Sequence, residues 1–332
     1  MTAAPDQMDP ILDLLNQRPR EDWSWQFEAD AIAQSAINGI ALCNAALVTY
    51  SDSASVRRFL TKWQFSEIAI LRGFHTQGFV ARQSNILIVA FRGTEPTNAV
   101  DWLTDVNYHQ ARYLSKIPGR IHGGWTRGLE EVRPAMIGAI RQLAKAHRPR
   151  IYITGHSLGG ALAVLAAAVL EFEESQPVSA VYTYGQPRVG DPEFSQAFDT
   201  KLRASTFRYV NDQDIVPHLP LSKMPGRPDF HLGRSITELS TDLANSLQVV
   251  RNGENFDHVG QLNLLLPDGR SSNDLELWRE REVGLEAEIL NLLRGLPNRF
   301  RFDLRRVLDR GRRVLDHDPL NGYLKRLENL PH

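Results

Sequence analysis

Between residues 86 and 210, short runs of β-branched and other apolar residues alternate with longer segments in which apolar positions recur every three or four residues. The short runs, 86–91, 151–154, 180–184 and 206–210, have the length and composition of buried strands. Segments at about 125–147, 158–173 and 191–202 carry the helical period. Each is long enough to cross a sheet and return, so the pattern predicts a mostly parallel central sheet with helices on both faces.

Upstream, 27–50 reads as a helix and 67–82 as a pair of strands that adds an edge to the parallel core. Downstream of residue 218 the periodicity loosens through a Pro/Gly-containing stretch at 217–233, then resumes as a strand at 261–266. The tail from Asn273 reads as helical and holds a dense run of arginines from Arg294 to Arg313, interleaved with Leu, Phe and Val. Such a run is either a solvated helix face or a contact for an anionic membrane surface. The organisation expected is one domain over 1–332: a core of about 65–266, an N-terminal helical segment at 1–60 and a helical extension at 273–332.

Composition narrows the function classes. With 332 residues and 42% hydrophobic content, the chain can bury a sizeable core. Its 38 basic and 39 acidic residues leave a net charge of −1, which gives no global attraction to nucleic acid. Cys43 is the single cysteine, so there is no internal disulfide framework and no thiolate metal site. No H-E-x-x-H or other paired ligand spacing occurs, and no metal or cofactor is expected. The N-terminus has acidic residues and prolines where a secretory leader has basic and apolar ones. The longest apolar run, 161–170, is about half a membrane span. The expected location is cytoplasmic, soluble or peripheral to membranes.

The chemistry is concentrated where the strand at 151–154 runs into Gly155-His156-Ser157-Leu158-Gly159-Gly160 and a helix follows. A G-x-S-x-G match alone is weak, but strand, sharp turn and helix form the context in which it makes a nucleophile elbow. Small residues at 155 and 159 let strand and helix approach while the serine oxygen is lifted above the sheet. A phosphate-cradling turn is the structural alternative. No lysine follows the glycines and no G-x-G-x-x-G is present, which argues against it.

The elbow sits among F-R-G-T at 91–94, I-H-G-G-W at 121–125, Y-G-Q-P-R-V-G at 184–190 and N-D-Q-D-I-V-P-H at 211–218. In this order the five segments resemble the class 3 lipases, the fungal and plant triacylglycerol lipase and phospholipase family. The resemblance spans about 86–218, with weaker echoes to residue 326, and implies an α/β-hydrolase fold and hydrolysis of carboxylic esters.

A serine hydroxyl needs a histidine base and a carboxylate that orients it, in the chain order Ser, Asp, His for this fold. Asp214, in the loop after the 206–210 strand, matches the family's catalytic aspartate in D-x-V-P, and Asp212 is its local competitor. Asp191, before Pro192, reads instead as a helix N-cap. Two histidines follow Asp214. His317 begins a D-H-x-x-x-x-x-Y-L pattern similar to the family's terminal catalytic histidine; His258 lies in an H-V-G segment that is often structural in the family. The expected triad is Ser157, Asp214 and His317. The 102 residues between Asp214 and His317 exceed the spacing of compact fungal members and keep His258 as the alternative. The oxyanion is expected to meet the backbone N–H of Leu158 and, by the resemblance, Thr94. Gly93 reads as a residue supplying an unusual dihedral.

By the same resemblance 95–105 is a lid over the serine, although Trp102 could equally be fixed in the core. His156 is expected to pack beneath the elbow and His122 to brace the loop before the 125–147 helix. The substrate expected is a lipid or other small ester. Acyl transfer to an alcohol by the same triad, and a non-catalytic lipase-like scaffold binding lipid or protein, remain as alternatives.

Overall fold

A computed structural model describes residues 23–93, 110–220, 255–282 and 319–330, apart from 32, 146, 147, 213 and 215. The strands are β1 (Glu67–Arg72), β2 (Gln77–Gln83), β3 (Ile86–Phe91), β4 (Gln110–Ala111), β5 (Ile121–His122), β6 (Arg150–His156), β7 (Ala180–Tyr184), β8 (Thr206–Asn211), β9 (Gln261–Leu265) and β10 (Ser271–Ser272). Eight form one sheet in the order β1-β2-β3-β6-β7-β8-β9-β10, and β4 pairs with β5 apart from it. The ladders from β3 to β9 are parallel; β1–β2, β2–β3 and β9–β10 are antiparallel.

Both faces of the sheet are covered, which is why its central strands read as unbroken apolar runs. Along β3, Leu87, Val89 and Phe91 join one core with the Leu158–Ala168 helix, while Ile86, Ile88 and Ala90 join the other. In β6, Ile151 and Ile153 face the first core and Tyr152 the second, the period-2 alternation of a strand. The second face is closed by the Ala36–Val48 and Ser53–Lys62 helices and by Tyr323, Leu324 and Leu327 from the end of the chain.

Some expectations need correction. The segment expected as one helix over 125–147 is two, Gly123–Glu130 and Arg133–Leu143. Val132 takes φ −122° and ψ −7°, and Pro134 in the first turn of the second helix lacks an N–H to continue the first. The N-terminal segment is not helical from residue 27: its helix is Ala36–Val48, capped by Ser35. Trp25 and Phe27 lie in non-helical chain, where Trp25 stacks on Trp63 and Phe27 meets Tyr152 edge-on. Their apolar spacing reflects that packing. Helix is present at 275–282, and the Leu158–Ala168 helix continues as a π-turn over Val169–Glu173. The arginine run at 294–313 and the expected lid at 95–105 lie outside the described residues.

Candidate active site

β6 delivers Ser157 at the centre of the sheet. Its backbone has φ 58° and ψ −128°, a conformation in which a non-glycine residue is strained. The strain is held by the surroundings: Ser157 N donates to Tyr184 O at 2.9 Å and Gly160 N to Ser157 O at 2.9 Å. A Cβ on Gly155 would run into the backbone of Gly159, and one on Gly159 into that of Phe91. Strand, turn and helix therefore fit only with glycine at both positions. Leu158 opens the helix, so its N–H has no intrahelical acceptor and is available at the end of the helix nearest Ser157.

Gly93 also packs against the elbow. Its φ is not in the left-handed region, so the expectation of an unusual dihedral fails; the requirement is space. A Cβ there would lie 2.7 Å from His156 O and 3.1 Å from Ser157 Cβ, and would collide with the Tyr50 hydroxyl. Thr94, the next residue, lies outside the described residues.

Beneath the nucleophile, His156 is buried and its Nδ1 lies 2.8 Å from Tyr50 Oη. The Tyr323 ring meets it at 5.8 Å in a T-shaped arrangement. Tyr323 also reaches Asp214, donating from its hydroxyl to Oδ2 at 2.5 Å, while Val216 N donates to Oδ1 at 2.9 Å. Asp214 is fully buried in the turn after β8, and its own N–H donates to Asn211 O at 2.9 Å. Asn211 N donates to Tyr323 Oη at 3.1 Å. One tyrosine thus touches both the residue preceding Ser157 and the expected catalytic carboxylate. Asp212 points elsewhere, into an ion pair with Arg281.

His258 occupies a different cluster. Its ring lies 5.9 Å from that of Trp278, on which His218 stacks at 4.5 Å and over which the Arg208 guanidinium sits at 5.4 Å. Among the described residues the buried ring nitrogens of His218 have no hydrogen bond, and the polar neighbour of the His258 ring is the Pro217 carbonyl. Burial, then the guanidinium groups of Arg208 and Arg188, hold the His258 imidazole well below the usual histidine range; the Pro217 carbonyl offsets this slightly. Burial, with Arg188 and Arg208, does the same to His218. His317 lies outside the described residues.

Asp191 caps the Pro192–Leu202 helix, accepting from Phe194 N at 2.8 Å. His122 braces the loop before the Gly123–Glu130 helix: its Nδ1 accepts from Gly124 N at 3.0 Å and its ring stacks on Trp125 at 4.3 Å. Burial and Arg127 push its pKa down to about 3, so it stays neutral. Among the described residues no group of His, Cys, Asp and Glu is arranged to hold a metal ion. The sequence pointed to Tyr323 only as the tyrosine following His317 and did not point to Tyr50, whose contact with His156 spans 106 positions.

A serine on a strained strand-to-helix turn, followed by a buried aspartate after a later strand, is the layout of a hydrolase elbow, and residues 88–224 match the family Lipase (class 3). That match takes in about two fifths of the chain and includes both Ser157 and Asp214. The lipase of Rhizomucor miehei is 33% identical over 153 residues, 44% of this chain and 41% of that protein. Triacylglycerol lipase OBL1 of Arabidopsis thaliana is 31% identical over 192 residues, 44% and 37% of the two chains. Lipase ZK262.3 of Caenorhabditis elegans is 51% identical over 140 residues, 40% and 38%. The chain thus spans about two fifths of the length of these curated relatives. Among solved structures, the Rhizomucor miehei lipase propeptide complex superposes with a TM-score of 0.52 at 22% identity, over 79% of this chain and 81% of that one. The lipase of Rhizopus microsporus var. chinensis gives 0.50 at 22% identity, over 74% and 81%. The chain has the α/β-hydrolase fold of those enzymes.

Proposed function

We propose that this chain is a serine hydrolase that cleaves carboxylic esters, acyl esters of glycerolipids first among them, within a single α/β-hydrolase domain. The observation that carries the reading is Ser157, held in a strained elbow with φ 58° at the head of a helix, one residue past a histidine that shares Tyr323 with the buried Asp214. In the mechanism proposed, Ser157 Oγ attacks the ester carbonyl and His317 accepts its proton. Asp214 orients and stabilises the imidazolium that results. The N–H of Leu158 and Thr94 meet the oxyanion, the alcohol leaves with the proton from His317, and water attacks the acyl-enzyme by the same route. The names of relatives, triacylglycerol lipase among them, support an acyl glycerolipid as substrate.

The geometry also supports His317 over His258 as the base. Tyr323, six residues after His317 in the sequence, is hydrogen-bonded to Asp214, which supports a base from near that point of the chain. His258 is flanked by Arg208 and Arg188, which oppose the positive charge that a general base must accept in the transition state. The test is hydrolysis of a short-chain p-nitrophenyl ester by wild type, Ser157→Ala, His317→Ala and His258→Ala. Losses of about 10⁴-fold or more in kcat are expected for the first two variants. An active His317→Ala beside an inactive, folded His258→Ala would reverse the assignment of the base. Absence of Ser157-dependent turnover on short and long acyl chains would favour the lipid-binding scaffold.

A further inference from the structure

The turn between β1 and β2 presents an apolar ring to solvent. Phe74 is 90% exposed, and only Leu275, at 44%, joins it as an exposed large apolar side chain among the described residues. The backbone beneath the ring is pinned. Gly73 N donates to Thr76 O at 2.7 Å, and Glu131 Oε2 accepts from His75 N at 2.8 Å and Thr76 N at 2.9 Å. Thr76 Oγ1 donates to Gly128 O at 2.8 Å. The fold thus spends three hydrogen bonds from the Gly128–Glu131 region on fixing a turn whose outermost side chain touches little besides the His75 ring, 4.6 Å away edge-on.

Topology sets where that ring lies. Arg72 pairs with Gln77 across the turn, Gly78 is opposite Phe91, and Arg92 N donates to Gln77 O at 2.8 Å. Phe91 is in turn level with Gly155 of β6, two residues before Ser157. The 73–76 turn therefore projects from the same end of the sheet as the nucleophile, and β2 and β6 are separated by two interstrand spacings, about 10 Å.

We infer that Phe74 is a lipid-surface contact, a fixed ring that enters the outer layer of a lipid aggregate and holds the Ser157 end of the sheet against it. The inference rests on the lipid-ester reading above for its choice of partner. A single ring is too small for a protein interface, which needs about 800 Å² on each side. It suits a headgroup layer, where each buried apolar group adds affinity and no matching pocket is required. Because the turn is already ordered, insertion costs little conformational entropy.

The test measures partitioning of the full chain onto vesicles of a diether phosphatidylcholine, which has no ester to cleave, for wild type, Phe74→Ser and Phe74→Trp. Partitioning is expected to fall about tenfold in Phe74→Ser and to persist in Phe74→Trp. In Phe74→Trp, fluorescence beyond that of wild type should be quenched by bromine-labelled acyl chains. Unchanged urea midpoints, and unchanged rates on a soluble p-nitrophenyl ester, would show that the variants stay folded. Equal partitioning of wild type and Phe74→Ser, or no partitioning of wild type, overturns the inference. Failure of the hydrolase reading would appear instead as absent ester turnover in every variant, with the binding difference intact.

Discussion

Ser157 and Trp278 each lie beside a set of buried polar side chains, and the two sets meet burial in opposite ways. Beside Ser157, the polar groups of Tyr50, His156, Tyr323 and Asp214 are linked by short hydrogen bonds and ring contacts. Beside Trp278, both ring nitrogens of His218 and two nitrogens of Arg208 are buried with no hydrogen bond among the described residues, and His258 has only the Pro217 carbonyl. The second set carries two strongly shifted histidines, which by that criterion alone would mark it as the functional centre. Yet a base must become charged in the transition state, and two guanidinium groups make that costly there. A perturbed pKa here reports packing; the arrangement suited to catalysis is the one whose polar groups have partners.

The largest effect that could break this contrast comes from the two neighbouring aspartates. Asp214→Asn keeps the shape of a side chain that bonds Tyr323 and Val216 but removes its charge, and kcat on a p-nitrophenyl ester is expected to fall about 10⁴-fold. Asp212→Asn, facing Arg281, is expected to lose stability while keeping activity within about tenfold. Exchange of these two phenotypes would move the catalytic carboxylate to Asp212.

Which features were legible in the sequence follows from how local their causes are. β3 and β7 match their predicted bounds because both faces of each are buried and the run ends where burial ends. The turns that hold Ser157 and Asp214 could be read because each belongs to a contiguous motif whose neighbours are fixed by the same turn. The segment at 27–50 misled because Trp25 and Phe27 satisfy their apolar surface through Trp63, Phe65 and Tyr152, contacts that no local period encodes. The break at Val132 leaves no mark in the hydrophobic pattern, because apolar spacing continues across it while the backbone does not. Tyr50 and the cluster on Trp278 depend on side chains brought together from distant elements, and nothing in their own surroundings in the sequence marks them.

An intermediate effect comes from acid. His122, His218 and His258 are held neutral by the fold, whereas in the unfolded chain they titrate near 6.5. Below that pH the unfolded state takes up protons that the folded state refuses, so stability present above about pH 6.5 is lost as pH falls. The slope has an upper bound of about 1.4 kcal/mol per histidine for each pH unit, with the window for His122 closing at about 3. The urea midpoint is expected to drop from pH 7.5 to pH 5, and to drop less in a His218→Phe/His258→Leu double variant. A midpoint that stays flat over this range would mean that these imidazoles are protonated, or partnered, in the folded protein, and the contrast between the two regions would fail.

The smallest effect tests the tyrosine that joins Ser157's neighbourhood to Asp214. Tyr323→Phe retains the ring that packs against His156 and Tyr184 but removes the hydroxyl that donates to Asp214 and accepts from Asn211 N. A hydrogen bond to a charged group contributes about 1.5–3 kcal/mol, and part of that is expected as stability because the buried Asn211 N–H is left without its acceptor. The remainder appears in catalysis, since a carboxylate held on one side only can tilt away from the imidazole it orients. A fall in kcat of about tenfold with KM nearly unchanged is expected, because Tyr323 acts through Asp214 and the substrate is bound elsewhere. A loss of stability with kcat intact would make Tyr323 a packing residue alone. It would also leave the docking of 319–324 against Asp214 unconnected with the chemistry, removing the main geometric support for His317 as the base.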